Sequence, residues 1–270
     1  MKKIVAIGGG ENGRFLEDGS QTMYETEIMD EEIIKLTNKK NPNYLFLAHA
    51  MCFSDKIQDS YYETMKKIYG DKYGCSCKCL KASDLYNKKF VKELVDWADI
   101  IYEGGDDTKA MIKLWKKTEF DIILREAWNS GKVICGISAG AVCWFNSCNS
   151  DNEEMQFESI ECLNWFDVFV TPHCDEEGRY ESTKSQLKEN KMLGLMLSNC
   201  SAIEIVDDKY KIISCNGIGR NFEKGYVLKC YWKNNKYYEE RLEESDKYKM
   251  LNELFSTNIM NLESEESSID

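Results

Sequence analysis

Short apolar runs that end in glycine or another small residue alternate, over most of this chain, with longer stretches of helical periodicity. That alternation is the mark of a parallel sheet covered by helices, so the fold expected is α/β, a three-layer sandwich with a mostly parallel central sheet. Strands are expected at 3–7, 44–48, 75–80, 100–102, 133–137, 168–171, 202–206 and 211–214, the first six alternating with helices. Helices are expected at 30–37, 58–68, 84–97, 108–115, 120–129 and 182–197, with Asp30 and Asp84 as N-caps. From about residue 202 the texture turns β-rich. IEIVDDKYKIIS and YVLKCYWKNNKYYEERL carry turn signals at Asp207-Asp208 and Asn234-Asn235, which predicts C-terminal antiparallel hairpins extending the edge of the sheet. No repeat or low-complexity linker separates a second domain. A single domain over 1–260 is expected, followed by a solvated acidic tail at 261–270.

Of 270 residues, 47 are acidic and 35 basic, a net charge of −12 that repels nucleic-acid backbones and anionic membrane surfaces. Neither nucleic acid nor membrane is an expected partner. The longest apolar runs, such as YLFLA and VFV, have strand length and fall far short of the ~20 residues that span a bilayer. Met1-Lys2-Lys3 leads straight into the strand-like IVAIG with no secretory signature, so the 12 cysteines are expected to be reduced and the location cytoplasmic.

The stretch richest in chemical meaning is KVICGISAGAVCWF. A β-branched run ends abruptly at Gly136-Ile137-Ser138-Ala139-Gly140, and a helix-compatible segment follows. A tight strand-to-helix turn lifts a serine Oγ out of the sheet, and small residues on either side let the backbone fold around it. The helix start then faces a developing oxyanion, to which the Ala139 N–H can donate. A histidine suited to activate Ser138 stands in VFVTPHCDEEGRY. His173, one of two histidines in the chain, follows a strand just as Ser138 does, and reactive groups gather at the carboxyl ends of parallel strands. In IIYEGGDDTKAMIKLW, a third strand ends in Glu103-Gly104-Gly105-Asp106-Asp107-Thr108. Successive amides in such a turn form an anion cradle, suited to a second oxyanion donor or a substrate carboxylate, while Asp107 or Thr108 caps the helix.

In this order and at these spacings, the three stretches resemble the peptidase E family of aspartyl dipeptidases and cyanophycinases, with its class I glutamine-amidotransferase-like fold. The resemblance runs from IVAIGGGENG to about the SAIEIV strand, roughly the first 215 residues. It implies Ser138 as nucleophile, His173 as general base, and Gly104, Gly105 and Ala139 around the oxyanion. It further implies hydrolysis of a peptide or isopeptide bond in a small peptide or amino-acid-derived substrate, with no metal or cofactor, by a monomer or homodimer. Two departures stand out. Where relatives place a carboxylate to orient the histidine, the chain has Leu197-Ser198-Asn199-Cys200-Ser201. Asn199 is nearest by position, with Asp151, Glu153 and Asp175 as alternatives. The arginine that aspartyl dipeptidases use for the substrate's acidic side chain has no counterpart. Asp106 and Arg179 are the nearest candidates for substrate contact, Gln186 lies close to the family's arginine position, and specificity for aspartate is not implied.

Two other readings stay open on the sequence. One is a catalytically silent small-molecule binding protein, motivated by Asn199 in the acid position and by the missing specificity arginine. The other is a glutamine-amidotransferase-like subunit acting with a partner, which rests on fold analogy. Cys75, Cys77 and Cys79 share one strand face but lack zinc spacing, so they are read as packing residues. Gly8-Gly9-Gly10 is an incomplete dinucleotide fingerprint, and His49 is read as a satisfied strand-end histidine. Cys135 and Cys143 flank the elbow without occupying the nucleophile position, which argues against a thiol enzyme.

Overall fold

The computed structural model describes residues 1–14, 16, 18, 20–51, 54–151, 156–218 and 223–256; Glu153 and the tail at 261–270 lie outside these. The first half runs β1 (Lys3–Ile7), α1 (Glu27–Leu36), β2 (Asn43–Leu47), α2 (Asp55–Lys66), β3 (Ser76–Leu80), α3 (Lys88–Trp97), β4 (Ile100–Glu103), α4 (Thr108–Thr118), α5 (Phe120–Asn129), β5 (Val133–Ile137) and α6 (Ala139–Val142). The second half runs β6 (Phe145–Asp151), β7 (Phe157–Glu161), β8 (Phe166–Thr171), α7 (Arg179–Asn190), β9 (Gly194–Leu197), β10 (Ser201–Val206), β11 (Lys209–Ser214), β12 (Val227–Lys233), β13 (Lys236–Leu242), β14 (Lys249–Met250) and α8 (Leu251–Phe255).

These strands form two sheets. The larger has the order β14-β11-β10-β1-β5-β4-β2-β3, parallel from β1 through β3 and antiparallel beyond β1. Its central strands β1, β4 and β5 are buried at every position, as strands covered on both faces require. The smaller sheet has the order β13-β12-β9-β8-β6-β7, with β6, β8 and β9 parallel. One core lies under α1 and α2 on the first sheet. A larger core joins that sheet's other face to α3, α4, α5 and the inner face of the second sheet, and a third lies under α7 on the second sheet's outer face.

The mostly parallel central sheet stands as expected from the sequence, but the second sheet is an addition. The expected strand at 168–171 belongs to it, and of the two C-terminal hairpins only β10–β11 extends the first sheet. Strand β6 reads FNSCNSD and gives no apolar signal, because its polar groups are satisfied by α7: buried Asn149 donates Nδ2 to Thr183 Oγ1 at 2.8 Å. The helix expected over 182–197 stops at Asn190, where Lys191 turns left-handed, and β9 follows. A Cβ on Gly194 would lie 2.5 Å from Leu187 Cδ1, so glycine lets α7 settle on β9. Neither expected N-cap holds. Helix α1 begins three residues before Asp30, whose buried carboxylate instead accepts from Tyr69, Tyr24 and Thr26 hydroxyls at 2.6, 2.9 and 3.1 Å. Asp84 lies in a 3₁₀ turn, and Asn87 caps α3 by accepting from the Phe90 N–H at 3.2 Å.

Candidate active site

The carboxyl ends of β1, β4 and β5 in the first sheet meet those of β8 and β9 in the second, and the chemistry-bearing residues collect along that seam. Ser138 turns sharply between β5 and α6 with φ 56° and ψ −115°, a conformation unfavourable for a residue with a side chain and the one a nucleophile elbow needs. Backbone contacts hold it there. The Ser138 N–H donates to the Ile7 carbonyl at 3.0 Å and the Gly140 N–H to the Gly104 carbonyl at 3.1 Å. A Cβ on Gly136 or Gly140 would stand only 2.5 or 2.2 Å from the Glu103 carbonyl oxygen, so both glycines are required by the strand crossing beside the elbow. Gly105 lies directly against Ser138: a Cβ there would sit 3.1 Å from Ser138 Cβ and 3.6 Å from Oγ. The Ala139 N–H occupies the first position of α6, where no preceding helical carbonyl can accept it.

His173 arrives from the second sheet, one residue past Pro172. Its φ of 80° and its N–H bond to the Leu197 carbonyl at 2.9 Å turn the half-buried imidazole toward the first sheet. Ser138 Oγ lies 2.8 Å from His173 Nε2, so the two residues meet across the seam. On the far side of the ring, His173 Nδ1 lies 3.0 Å from Glu176 Oε1. A carboxylate at Nδ1 places the ring proton there and leaves Nε2 to accept from the serine hydroxyl. The other oxygen, Glu176 Oε2, is 3.3 Å from Arg179 Nη2, which also pairs with Asp151 Oδ2 at 2.8 Å. Arg179 is 2% exposed and lies over the Phe157 ring at 4.8 Å, so it is a buried brace behind Glu176 rather than an open contact for substrate.

Asn199, the sequence's nearest candidate to orient the histidine, faces elsewhere. Its backbone N–H donates to Asp175 Oδ1 at 2.9 Å and its Nδ2 lies 3.1 Å from both Asp175 oxygens, while its Oδ1 presses on Gly9. Asp175 is thereby engaged with Asn199, and Asp151 stands behind Arg179, with Arg179 and Glu176 between it and the imidazole. Glu176 was not among the sequence candidates. The signal for it is its place three residues after His173, where the left-handed backbone at 173 folds the two side chains together. Asp106 is exposed just past the Gly104-Gly105 turn at φ 139°, and burial, then the neighbouring Asp107, raise its carboxyl pKa. Asp107 caps α4, accepting from the Ala110 N–H at 2.8 Å.

The sequence model of peptidase family S51 matches residues 4–213. The chain belongs to that family. It is 31% identical over 211 residues to YgaJ of Bacillus subtilis (strain 168), described as an uncharacterized peptidase, covering 77% of this chain and 85% of that one. Its fold matches a peptidase from an acI-B1 Actinobacterium with a TM-score of 0.66 at 18% identity, covering 93% and 97% of the two chains. It also matches a putative peptidase E protein from Listeria monocytogenes EGD-e with a TM-score of 0.58 at 19% identity, covering 80% and 99%. As a member of family S51, the chain is a serine-type peptidase of the peptidase E family.

In this S51 peptidase several other titratable side chains are buried. Buried His49 donates Nε2–H to the Leu80 carbonyl at 2.8 Å and accepts from Trp115 Nε1 at 2.9 Å, and burial pulls its pKa down to about 4. Beside it the wholly buried Glu103 accepts from the Ala50 N–H at 3.1 Å, and burial raises its carboxyl well above the ordinary range. Burial likewise pushes Cys77 up to about 11, and Cys75 and Cys79 up to about 12. Among the described residues no group of three or more His, Cys, Asp or Glu is placed to hold a metal ion, and no helix is long and apolar enough to cross a membrane. A cavity of about 730 Å³ lined by Gln21, Tyr24, Lys67 and Lys72, among others, contains none of the site residues.

Proposed function

We propose that this peptidase cleaves a peptide or isopeptide bond in a small, amino-acid-derived substrate through an acyl-enzyme on Ser138. The observation that carries the reading is the continuous path Ser138–His173–Glu176, with contacts of 2.8 and 3.0 Å. His173 takes the Ser138 proton at Nε2 as Oγ attacks the carbonyl carbon, and Glu176 stabilises the imidazolium through Nδ1–H. The negative charge on the carbonyl oxygen develops beside the Ala139 amide and the Gly104-Gly105 turn. The imidazolium then gives its proton to the departing amine. A water deprotonated at the same nitrogen attacks the ester, and Ser138 recovers its proton when the acid product leaves. Arg179 acts on none of these atoms; it fixes Glu176 from behind. The alternative of a silent binding protein rests on Asn199 in the acid position and on the missing specificity arginine; a carboxylate at His173 Nδ1 weighs against the first of these.

The test is hydrolysis of a panel of dipeptides and β-linked isopeptides by the parent chain and by Ser138→Ala, with intact-mass analysis of samples quenched during turnover. Cleavage by the parent alone, with an acyl mass increment on the Ser138 peptide, is the expected result. Equal cleavage by both chains would remove the assignment.

A further inference from the structure

Gly8-Gly9-Gly10, at the carboxyl end of β1, is a motif that the mechanism above leaves unused, yet the fold brings it to the seam. A Cβ on Gly9 would stand 3.4 Å from His173 Cβ and 2.3 Å from Asn199 Oδ1, so the turn packs beside the base with no room for a side chain. Gly10 follows at φ 128°, where a side chain would be strained. On the side of β10 the turn is tied down by backbone. The Gly8 N–H donates to the Ser201 carbonyl at 2.8 Å, and the Gly9 carbonyl accepts from the Cys200 N–H at 3.0 Å.

The elbow itself sets the amides of this turn free. β1 and β5 run parallel with Ile7 opposite Ile137, and the Ser138 N–H donates to the Ile7 carbonyl. The next rung of a parallel ladder would run from the Gly9 N–H to the Ser138 carbonyl. That carbonyl has turned into α6, where it accepts from the Ala141 and Val142 N–H groups at 2.9 and 3.1 Å. Gly9 is buried, and among the described residues neither its N–H nor that of Gly10 has an acceptor. A buried N–H calls for one. The next amide of the turn shows what suits it: the Glu11 N–H donates to Glu25 Oε2 at 2.9 Å, a carboxylate supplied by the chain. Successive amides of a glycine turn cradle an anion.

Building on the serine peptidase reading, we propose that the Gly9 and Gly10 amides form the subsite for a free α-carboxylate on the leaving residue of the substrate. The strand order β1-β5-β4 places the Gly9 turn and the Gly104-Gly105 turn on opposite sides of Ser138. The second is the oxyanion side. The first is the side of His173, which gives its proton to the departing amine, so the leaving residue lies there with its carboxylate close to that nitrogen. Arg179 is buried in its pairs with Asp151 and Glu176, and backbone donors take the place of a cation. No bond forms or breaks at the turn; it holds the leaving residue by its charged end and aims the scissile nitrogen at His173 Nε2.

The test compares cleavage of each dipeptide in the panel above with cleavage of its C-terminal amide, since the two differ only in the group the turn would hold. A hydrogen bond to a charged group is worth about 10-fold or more in binding. The free dipeptide should therefore be favoured by about 10- to 100-fold in kcat/KM, chiefly through KM. A second readout assigns the effect to the turn. In Ser138→Ala made with isotope-labelled glycine, the Gly9 and Gly10 amide proton resonances should move downfield as the dipeptide is added and stay in place with its amide. A labelled parent that favours no free dipeptide over its amide overturns the proposal, and so does a preference with those two resonances unmoved. A parent chain that a fluorophosphonate probe does not label at Ser138 removes the serine reading and this inference with it, an outcome distinct from a labelled parent indifferent to the blocked end.

Discussion

The two sheets deliver the two halves of the proposed Ser138–His173 pair by different physical means. On the first sheet, Ser138 is set by backbone alone: amide bonds to the Ile7 carbonyl and from Gly140 to Gly104, with glycines at 136 and 140 where a Cβ would strike the Glu103 carbonyl. On the second sheet, His173 is turned by its own backbone and its N–H bond to the Leu197 carbonyl, and is then held by a row of side chains, with Glu176 at Nδ1, Arg179 behind Glu176 and Asp151 behind Arg179. The nucleophile's geometry is therefore a local property of a few residues. The base's electrostatics are assembled from ions that fall between residues 151 and 179, and the seam between the sheets is where the two become one site.

Substitutions on each side should break the comparison in characteristic ways. Ser138→Ala removes the nucleophile without disturbing the backbone that holds it, so turnover should fall by roughly 10⁶-fold with an unchanged thermal midpoint. A large fall in stability would show that the elbow depends on the side chain after all. Glu176→Gln keeps the shape of the brace and removes its charge, and an expected loss of ~10³- to 10⁴-fold in kcat would mark Glu176 as the acid of the site. Full activity in that variant would return the role to another carboxylate.

The two histidines sharpen the contrast further. His173 is half-buried at the seam, whereas His49 is sealed at the end of β2, where burial holds its pKa down to about 4 against the ordinary 6.5. As pH falls from about 6.5 to 4, the unfolded chain takes up a proton at position 49 that the folded chain refuses. Stability is lost across that window, by roughly 3 kcal/mol at its lower end. Asp30, pushed up to about 6 by burial, works in the opposite sense. The quantity to read is the difference in urea unfolding free energy between the parent and His49→Gln, in which Asp30 cancels. That difference should shift in favour of the variant on acidification, and a constant difference would contradict neutral burial of His49. The smallest effect is expected at Asn199, whose polar groups serve Asp175 and the Gly9 loop. Asn199→Ala should cost about 1 kcal/mol of stability and leave kcat within roughly threefold. A loss as large as that of Glu176→Gln would place Asn199 in the relay after all.

The same division explains what the sequence could disclose. The first sheet was legible because β1, β2, β4 and β5 are largely apolar runs, and the elbow at Ser138 because its glycine spacing stands in one order with the His173 and Gly104-Gly105 stretches. The second sheet was largely hidden. Strand β6 buries asparagine and serine against α7, β9 is four residues long and follows the helix closely, and neither shows an alternating pattern. Glu176 was invisible for a related reason. PHCDEEGRY offers three consecutive acids after His173, and the choice among them depends on the left-handed turn at 173 and on Arg179 and Asn199, each of which engages one of the acids. The family resemblance pointed instead to position 199, where this chain has Asn199, while the carboxylate at His173 Nδ1 is that of Glu176.

The central claim is that Ser138 from one sheet is activated by His173 from the other. Fluorophosphonate labelling with peptide mapping, run on the parent chain and on His173→Ala, tests it most directly. The account predicts modification at Ser138 in the parent and its loss in a folded His173→Ala chain; labelling that persists without the histidine, or that maps to another residue, would contradict it.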